Sequence, residues 1–114
     1  MAVLRIWRAR IDSSRAGEYL SFANEQSLPM FRGHAGFLGV IFAARGAERL
    51  VLTVWRDMEA VRALDASPRY SATVADIEAS GFLDSASPVE VYTIEGGALD
   101  SALMSSLVGD AAPA

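Results

Sequence analysis

The chain has no cysteine and no lysine, and its 114 residues include a single histidine, His34. Without thiols there is no disulfide framework, no thiolate zinc or iron–sulfur site and no cysteine nucleophile. One histidine excludes a His-rich metal cluster, and any serine–histidine pairing has to use His34. Long apolar runs are also missing. The longest, Gly36 to Ala44, falls well short of the ~20 residues that a membrane-crossing helix needs. The N-terminus sets arginines within an alternating pattern and shows no apolar signal-peptide core, so a cytoplasmic protein with no membrane contact is expected.

All ten basic residues are arginine, which together with the abundant alanine reads as the codon usage of a GC-rich genome. Net charge is −4, but it is unevenly spread. Residues 1–62 carry nine arginines against six acids, and residues 63–114 carry one arginine against eight acids. The early arginines are dispersed along strands and form no tract, so a nucleic-acid partner is not expected. At this length one compact domain is the simple reading, burying roughly two thirds of its unfolded surface. The hydrophobic share, 52%, is high for a domain with one sheet face in water.

Hydrophobic periodicity divides the chain into seven main elements and a C-terminal helix. Ala2–Ile11 alternates as a strand, and Ser13 or Ser14 caps a helix with Ala16, Tyr19, Leu20 and Ala23 on one stripe. That helix is predicted to end before Pro29. Two strands follow the glycine loop Arg32–Gly36: Phe37–Ala44 and Arg49–Arg56, joined by a turn at Arg45–Ala47. Asp57 caps a helix over Met58–Ala66, and Ser67-Pro68 starts another with Tyr70, Val74 and Ile77 on its buried side and Gly81 at its end. Val89–Glu95 is the last predicted strand. Beyond Gly96-Gly97, a short helix is expected over Asp100–Val108, with fraying from Gly109 to Ala114.

The order β-α-β-β-α(α)-β predicts an α+β fold, the ferredoxin-like βαββαβ arrangement with a four-stranded antiparallel sheet and helices on one face. The second and third strands are apolar on both faces, whereas a sheet with one wet face alternates. Both faces are therefore covered, and a second copy of the same sheet is the economical cover: a homodimer.

Particular residues carry a resemblance. They are Trp7-Arg8 in the first strand, Glu18-Tyr19 in the first helix and Gly36-Phe37-Leu38-Gly39 opening the second strand. Leu52-Thr53-Val54-Trp55 ends the third strand, Ser67-Pro68-Arg69-Tyr70 opens the second helical region, and Gly81-Phe82-Leu83 precedes the last strand. In this order and spacing the chain resembles the antibiotic biosynthesis monooxygenase (ABM) domain family of the dimeric α/β-barrel superfamily. The resemblance covers about residues 2–95. It implies an ABM-like ferredoxin-fold domain over 1–96 and a tail, 97–114, with a short helix on the partner subunit. It also implies a cofactor-independent monooxygenase of a bulky aromatic or polyketide-like molecule. A non-oxidative cyclase or isomerase, and a non-catalytic ligand-binding dimer, are the alternatives.

Two departures narrow the resemblance. The haem-degrading branch places a histidine ligand where this chain has Val74, so haem degradation is not implied. The polyketide oxygenases carry an asparagine and a tyrosine where Val51 and Val61 stand, although Trp55 matches their tryptophan.

Ground-state O2 is a triplet and reacts slowly with closed-shell molecules, unless the substrate first loses a proton and donates an electron itself. Such chemistry requires an apolar pocket, a proton acceptor and a way to hold an anion near O2, with no bound cofactor or metal. General-base help contributes roughly 10²–10⁴-fold. His34 is the natural base by its ordinary titration range, and Trp55 offers a flat stacking surface with one N–H donor. These two are the candidate catalytic residues. Trp7, Tyr19, Asn24, Phe37 and Tyr70 are the candidate substrate-binding residues, with Tyr19 and Tyr70 able to donate to a phenolate oxygen. For each of them ordinary packing or a solvated surface position is the alternative.

Overall fold

The computed structural model describes residues 1–109. The first strand, β1 (Val3–Ile11), leads through a 3-10 turn at Ser13–Arg15 into α1 (Ala16–Phe22). Asp12 caps that turn, its Oδ1 accepting from the Ser14 N–H at 3.0 Å. The chain stays helical through a π turn at Ala23–Ser27 and on into α2 (Leu28–Arg32). This corrects the expected stop before Pro29. A proline in an α-helix lacks its N–H and clashes with the carbonyl four residues back. Here the Leu28 N–H reaches five residues back to the Ala23 carbonyl, and the widened turn admits Pro29 in the first turn of the next segment.

The hairpin β2 (Phe37–Arg45) and β3 (Glu48–Trp55) follows, then α3 (Met58–Asp65) and α4 (Pro68–Ala79). Asp57 and Ser67 cap these helices as the sequence predicts, accepting from the N–H groups of Ala60 at 2.9 Å and Tyr70 at 3.3 Å. Gly36 enters β2 at φ +84°, and a Cβ there would lie 2.6 Å from the Ala60 Cβ. Only glycine meets both demands.

The last strand is split. β4 (Leu83–Ala86) and β5 (Glu90–Thr93) both run antiparallel to β1 on the side away from β3. The sequence predicts only the second of these, because Asp84 and Ser85 break the apolar pattern and Pro88 cannot donate to a ladder. The sheet order is β2-β3-β1-β4, with β5 also on β1, which is the ferredoxin-like arrangement. A last helix, α5 (Ser101–Gly109), carries exposed Leu103, Met104 and Leu107. The expected fraying concerns, apart from Gly109, residues outside those described. No helix among the described residues is long and apolar enough to cross a membrane.

Register decides what each sheet face holds. Val3 pairs with Trp55, Arg5 with Thr53 and Trp7 with Val51, and this set faces the helices. Val3, Val51 and Trp55 pack there with Met30, Phe31, Val61 and Leu64. The opposite face presents Leu4, Ile41, Leu50, Leu52 and Val54, all half-buried.

Candidate functional site

A cavity of about 80 Å³ opens between the helix side of the sheet and the two helical layers. Its floor is Arg5, Trp7 and Phe42 on β1 and β2. The α1–α2 segment supplies Tyr19, Phe22 and Met30 as one wall, and α4 supplies Tyr70, Val74 and Ile77 as the other. The stripe on α4 is only partly buried, Tyr70 and Val74 being half-exposed, because it faces this space and does not interlock with the sheet. Ser27, in the π turn, also reaches the cavity. The walls are overwhelmingly apolar and aromatic, as in small-molecule sites generally.

One buried charge stands in this apolar setting. Arg5 is 2% exposed. Its Nη2 donates to the Asp65 carboxylate at 3.0 Å and to the Tyr70 hydroxyl at 2.7 Å. The guanidinium carbon lies 4.9 Å from the centre of the Tyr70 ring. Asp65, at the end of α3, is half-exposed and so holds the pair from the solvent side. The Arg5 Nε–H is buried and has no acceptor among the described residues. Because the Tyr70 oxygen accepts from Arg5, its own proton is free to be donated elsewhere.

Tyr19 forms the opposite wall. Burial pushes its phenol up to about 12, with nearby Arg49 opposing the shift. The folded protein therefore holds this proton more tightly than the unfolded chain, whose tyrosines titrate near ~10. The contribution of Tyr19 to stability is constant below about pH 10 and is lost as pH rises from ~10 to ~12, by up to about 2–3 kcal/mol. Denaturant unfolding across this range is expected to show that slope, and Tyr19→Phe to remove most of it, the Tyr92 phenol being raised only by its exposed hydrogen bond to Glu90. An unchanged slope in the variant would place the titration elsewhere.

The candidate residues from the sequence separate into two groups. Trp7, Tyr19 and Tyr70 converge on the cavity. His34, Trp55, Phe37 and Asn24 do not line it. His34 ties two segments together: its Nδ1 lies 2.8 Å from the Met30 carbonyl and its Nε2 2.7 Å from the Ser67 hydroxyl. A carbonyl only accepts, so Nδ1 carries a proton and donates to Met30, and in the neutral ring Nε2 accepts from the Ser67 hydroxyl. Trp55 is fully buried, its Nε1–H donating to Thr53 Oγ1 at 2.8 Å. Phe31 and Phe37 pack edge-on against it at 6.3 and 5.6 Å, which makes Phe37 part of the same aromatic core. Asn24 is exposed and donates to the Leu20 carbonyl of its own helix at 3.1 Å.

Arg5 was not among the sequence candidates. The signal was present: Val3, Trp7, Ala9 and Ile11 share its parity on β1 and are apolar, whereas Arg8 and Arg10 lie on the other.

The fold and the cavity together define an α+β domain of the ABM structural type. The structure is similar to a monooxygenase from the gene ActVA-Orf6 of Streptomyces coelicolor, in complex with nanaomycin D. The TM-score is 0.74 and the identity 17%, covering 87% of this chain and 92% of that one. It is also similar to SnoaB, a cofactor-independent oxygenase from Streptomyces nogalater, with a TM-score of 0.69 and 18% identity over 84% of this chain and 95% of that one. A protein of unknown function from Nitrosomonas europaea, NE2512, gives 0.70 and 14% over 87% and 94%. No family model and no curated protein matches the sequence. At these identities the likeness is one of fold.

Proposed function

We propose that the chain is a cofactor-independent monooxygenase, acting as a cytoplasmic homodimer on an aromatic small molecule bound between β1, α1 and α4. The observation that carries this reading is the apolar cavity with a single buried cationic end at Arg5 and Tyr70. The folds of SnoaB and the ActVA-Orf6 monooxygenase lend it support. Trp7, Tyr19 and Tyr70 are the substrate-contacting residues in this reading, and His34 and Trp55 support the frame. A substrate such as an anthrone is deprotonated to an electron-rich anion, which transfers an electron to O2. One oxygen atom replaces two hydrogens on the reacting carbon as a carbonyl, and the other leaves with both hydrogens as water. The substrate supplies all the electrons.

The cavity of about 80 Å³ is below the ~300–1,000 Å³ of drug-sized sites. It accommodates one ring, and a fused-ring substrate of the polyketide kind requires the cleft to widen. Oxygen uptake with anthrone and single-ring phenols tests the reading. One O2 consumed per product is expected, and turnover that continues unchanged without O2 would assign a non-oxidative cyclase or isomerase instead.

The outward sheet face, where Leu52 sits between Ile6 and Ile41 on the neighbouring strands, supports the homodimer in this reading. In this reading residues 1–96 form the ferredoxin-like unit, and the described part of the 97–114 tail, residues 97–109, lies against the partner and buries the apolar side chains that α5 exposes; the rest of the tail is outside the described residues. Dimers are expected by light scattering at micromolar concentration. Leu52→Arg, which buries a charge between two sheets, is expected to yield monomers. A monomeric wild type would remove the dimer from the proposal.

A further inference from the structure

The unpaired edge of Arg5 has a physical cost and therefore needs an explanation. A buried donor without a partner is destabilising, and more so when it belongs to a charged group. Buried donors in folded proteins are nearly always satisfied. A guanidinium cannot release its charge by deprotonation. Asp65 offsets that charge through one contact at Nη2 and is itself half-exposed, so the buried Nε–H of cavity-lining Arg5 is left without a partner among the described residues.

We infer that Arg5 and Tyr70 form an oxyanion-binding site within the cavity, taking the ionised oxygen of a phenolate or enolate. The Arg5 Nε–H donates to that oxygen and the Tyr70 hydroxyl donates a second bond, its own oxygen being held by Arg5 Nη2. In an apolar surrounding, both bonds strengthen relative to water. Selection for the anion follows from charge. The other titratable groups around the cavity are Tyr19, a neutral phenol that burial holds further from ionisation, and the Glu78 carboxylate on the exposed side of α4. Asp65 faces Arg5 from the end of α3. Arg5 is the one cation among the residues lining the cavity, and Arg49, 5.6 Å from the centre of the Tyr19 ring, adds to the attraction from behind that wall. The proton lost by the ligand goes to solvent on binding.

This deepens the functional reading above, since it rests on the cavity being the ligand site, but it does not require O2. The test is anaerobic binding of 4-nitrophenol, a single-ring probe whose phenolate absorbs separately from its phenol, with 4-nitrotoluene as the neutral analogue. In the wild-type protein the titration midpoint of bound nitrophenol is expected to fall by at least about one pH unit, equivalent to tenfold tighter binding of the phenolate. Arg5→Met is expected to remove the shift and weaken phenolate binding by tenfold or more, leaving 4-nitrotoluene affinity unchanged. Tyr70→Phe keeps the ring and is expected to remove part of the shift, and Arg5→Lys, which keeps the charge without the Nε–H, likewise. Binding of 4-nitrophenol with no shift in the wild type would overturn the inference, as would equal loss of both probes in the Arg5 and Tyr70 variants. If neither probe binds, the cavity reading and the anion site fail together. Phenolate selection without oxygen uptake on any substrate overturns the oxygenase reading and leaves the anion site standing.

Discussion

Trp55→Ala is expected to destabilise the protein by about 3–5 kcal/mol, the range for truncating a large buried aromatic residue. The indole has no exposed surface, and it joins β3 to α2 and β2 through Phe31 and Phe37. Its removal opens a void that two facing rings cannot both fill. It also leaves Thr53, itself 1% exposed, without the Nε1–H donor at 2.8 Å. The expected readout is a fall in Tm on the order of 10–20 °C in thermal unfolding. Trp55→Phe retains most of the volume and is expected to cost less. The folded fraction of either variant is expected to bind 4-nitrophenol as the wild type does, because Trp55 does not line the cavity. Selective loss of probe binding with stability intact would return Trp55 to the site.

Asp65→Ala is expected to destabilise by about 2–3 kcal/mol, and more than Arg5→Met does. Breaking a buried ion pair by removing one partner costs ~3–5 kcal/mol when the remaining charge is stranded. Here the stranded group is the Arg5 guanidinium, whose side chain is 3% exposed against 50% for Asp65. Water reaching the vacated carboxylate position lowers the cost below the fully buried value. Arg5→Met instead removes the buried cation with its desolvation and leaves Asp65 near solvent, so a change within about 1 kcal/mol is expected. Urea unfolding of the two variants gives the comparison. If Arg5→Met proves the more damaging, the ion pair serves the fold first, and the cost of holding a cation beside the cavity has been overstated.

Much of the architecture was legible because local rules act one element at a time. The caps at Asp57 and Ser67, with Pro68 in the first turn, mark two helix starts, and the alternation in Val3–Ile11 marks a strand. Two features escaped for local reasons. Pro29 reads as a helix stop, yet the π turn before it relieves the clash that would have broken the helix. Leu83–Ala86 pairs with β1 by backbone hydrogen bonding, to which the polar Asp84 and Ser85 are no obstacle.

The site was less legible. Tyr19 and Tyr70 sit on amphipathic stripes, where packing and ligand contact leave the same pattern. The structure separates them from Phe37 and Trp55 only by showing which aromatics leave space between them. His34 attracted attention by its titration range, but its position between Met30 and Ser67 occupies both ring nitrogens.

The missing cysteine, the lone histidine and the short apolar runs determined, without coordinates, which chemistries the chain has no residues for. The spacing of its apolar residues determined the order of strands and helices. Tertiary structure alone decided where the charge goes. Arg5 looks like any strand arginine until register sets it opposite Thr53 on the helix side of the sheet. There, 65 residues along the chain from Arg5, Tyr70 meets it. A cavity and a buried cation beside it are properties of distances between elements, and no periodicity along one element encodes them.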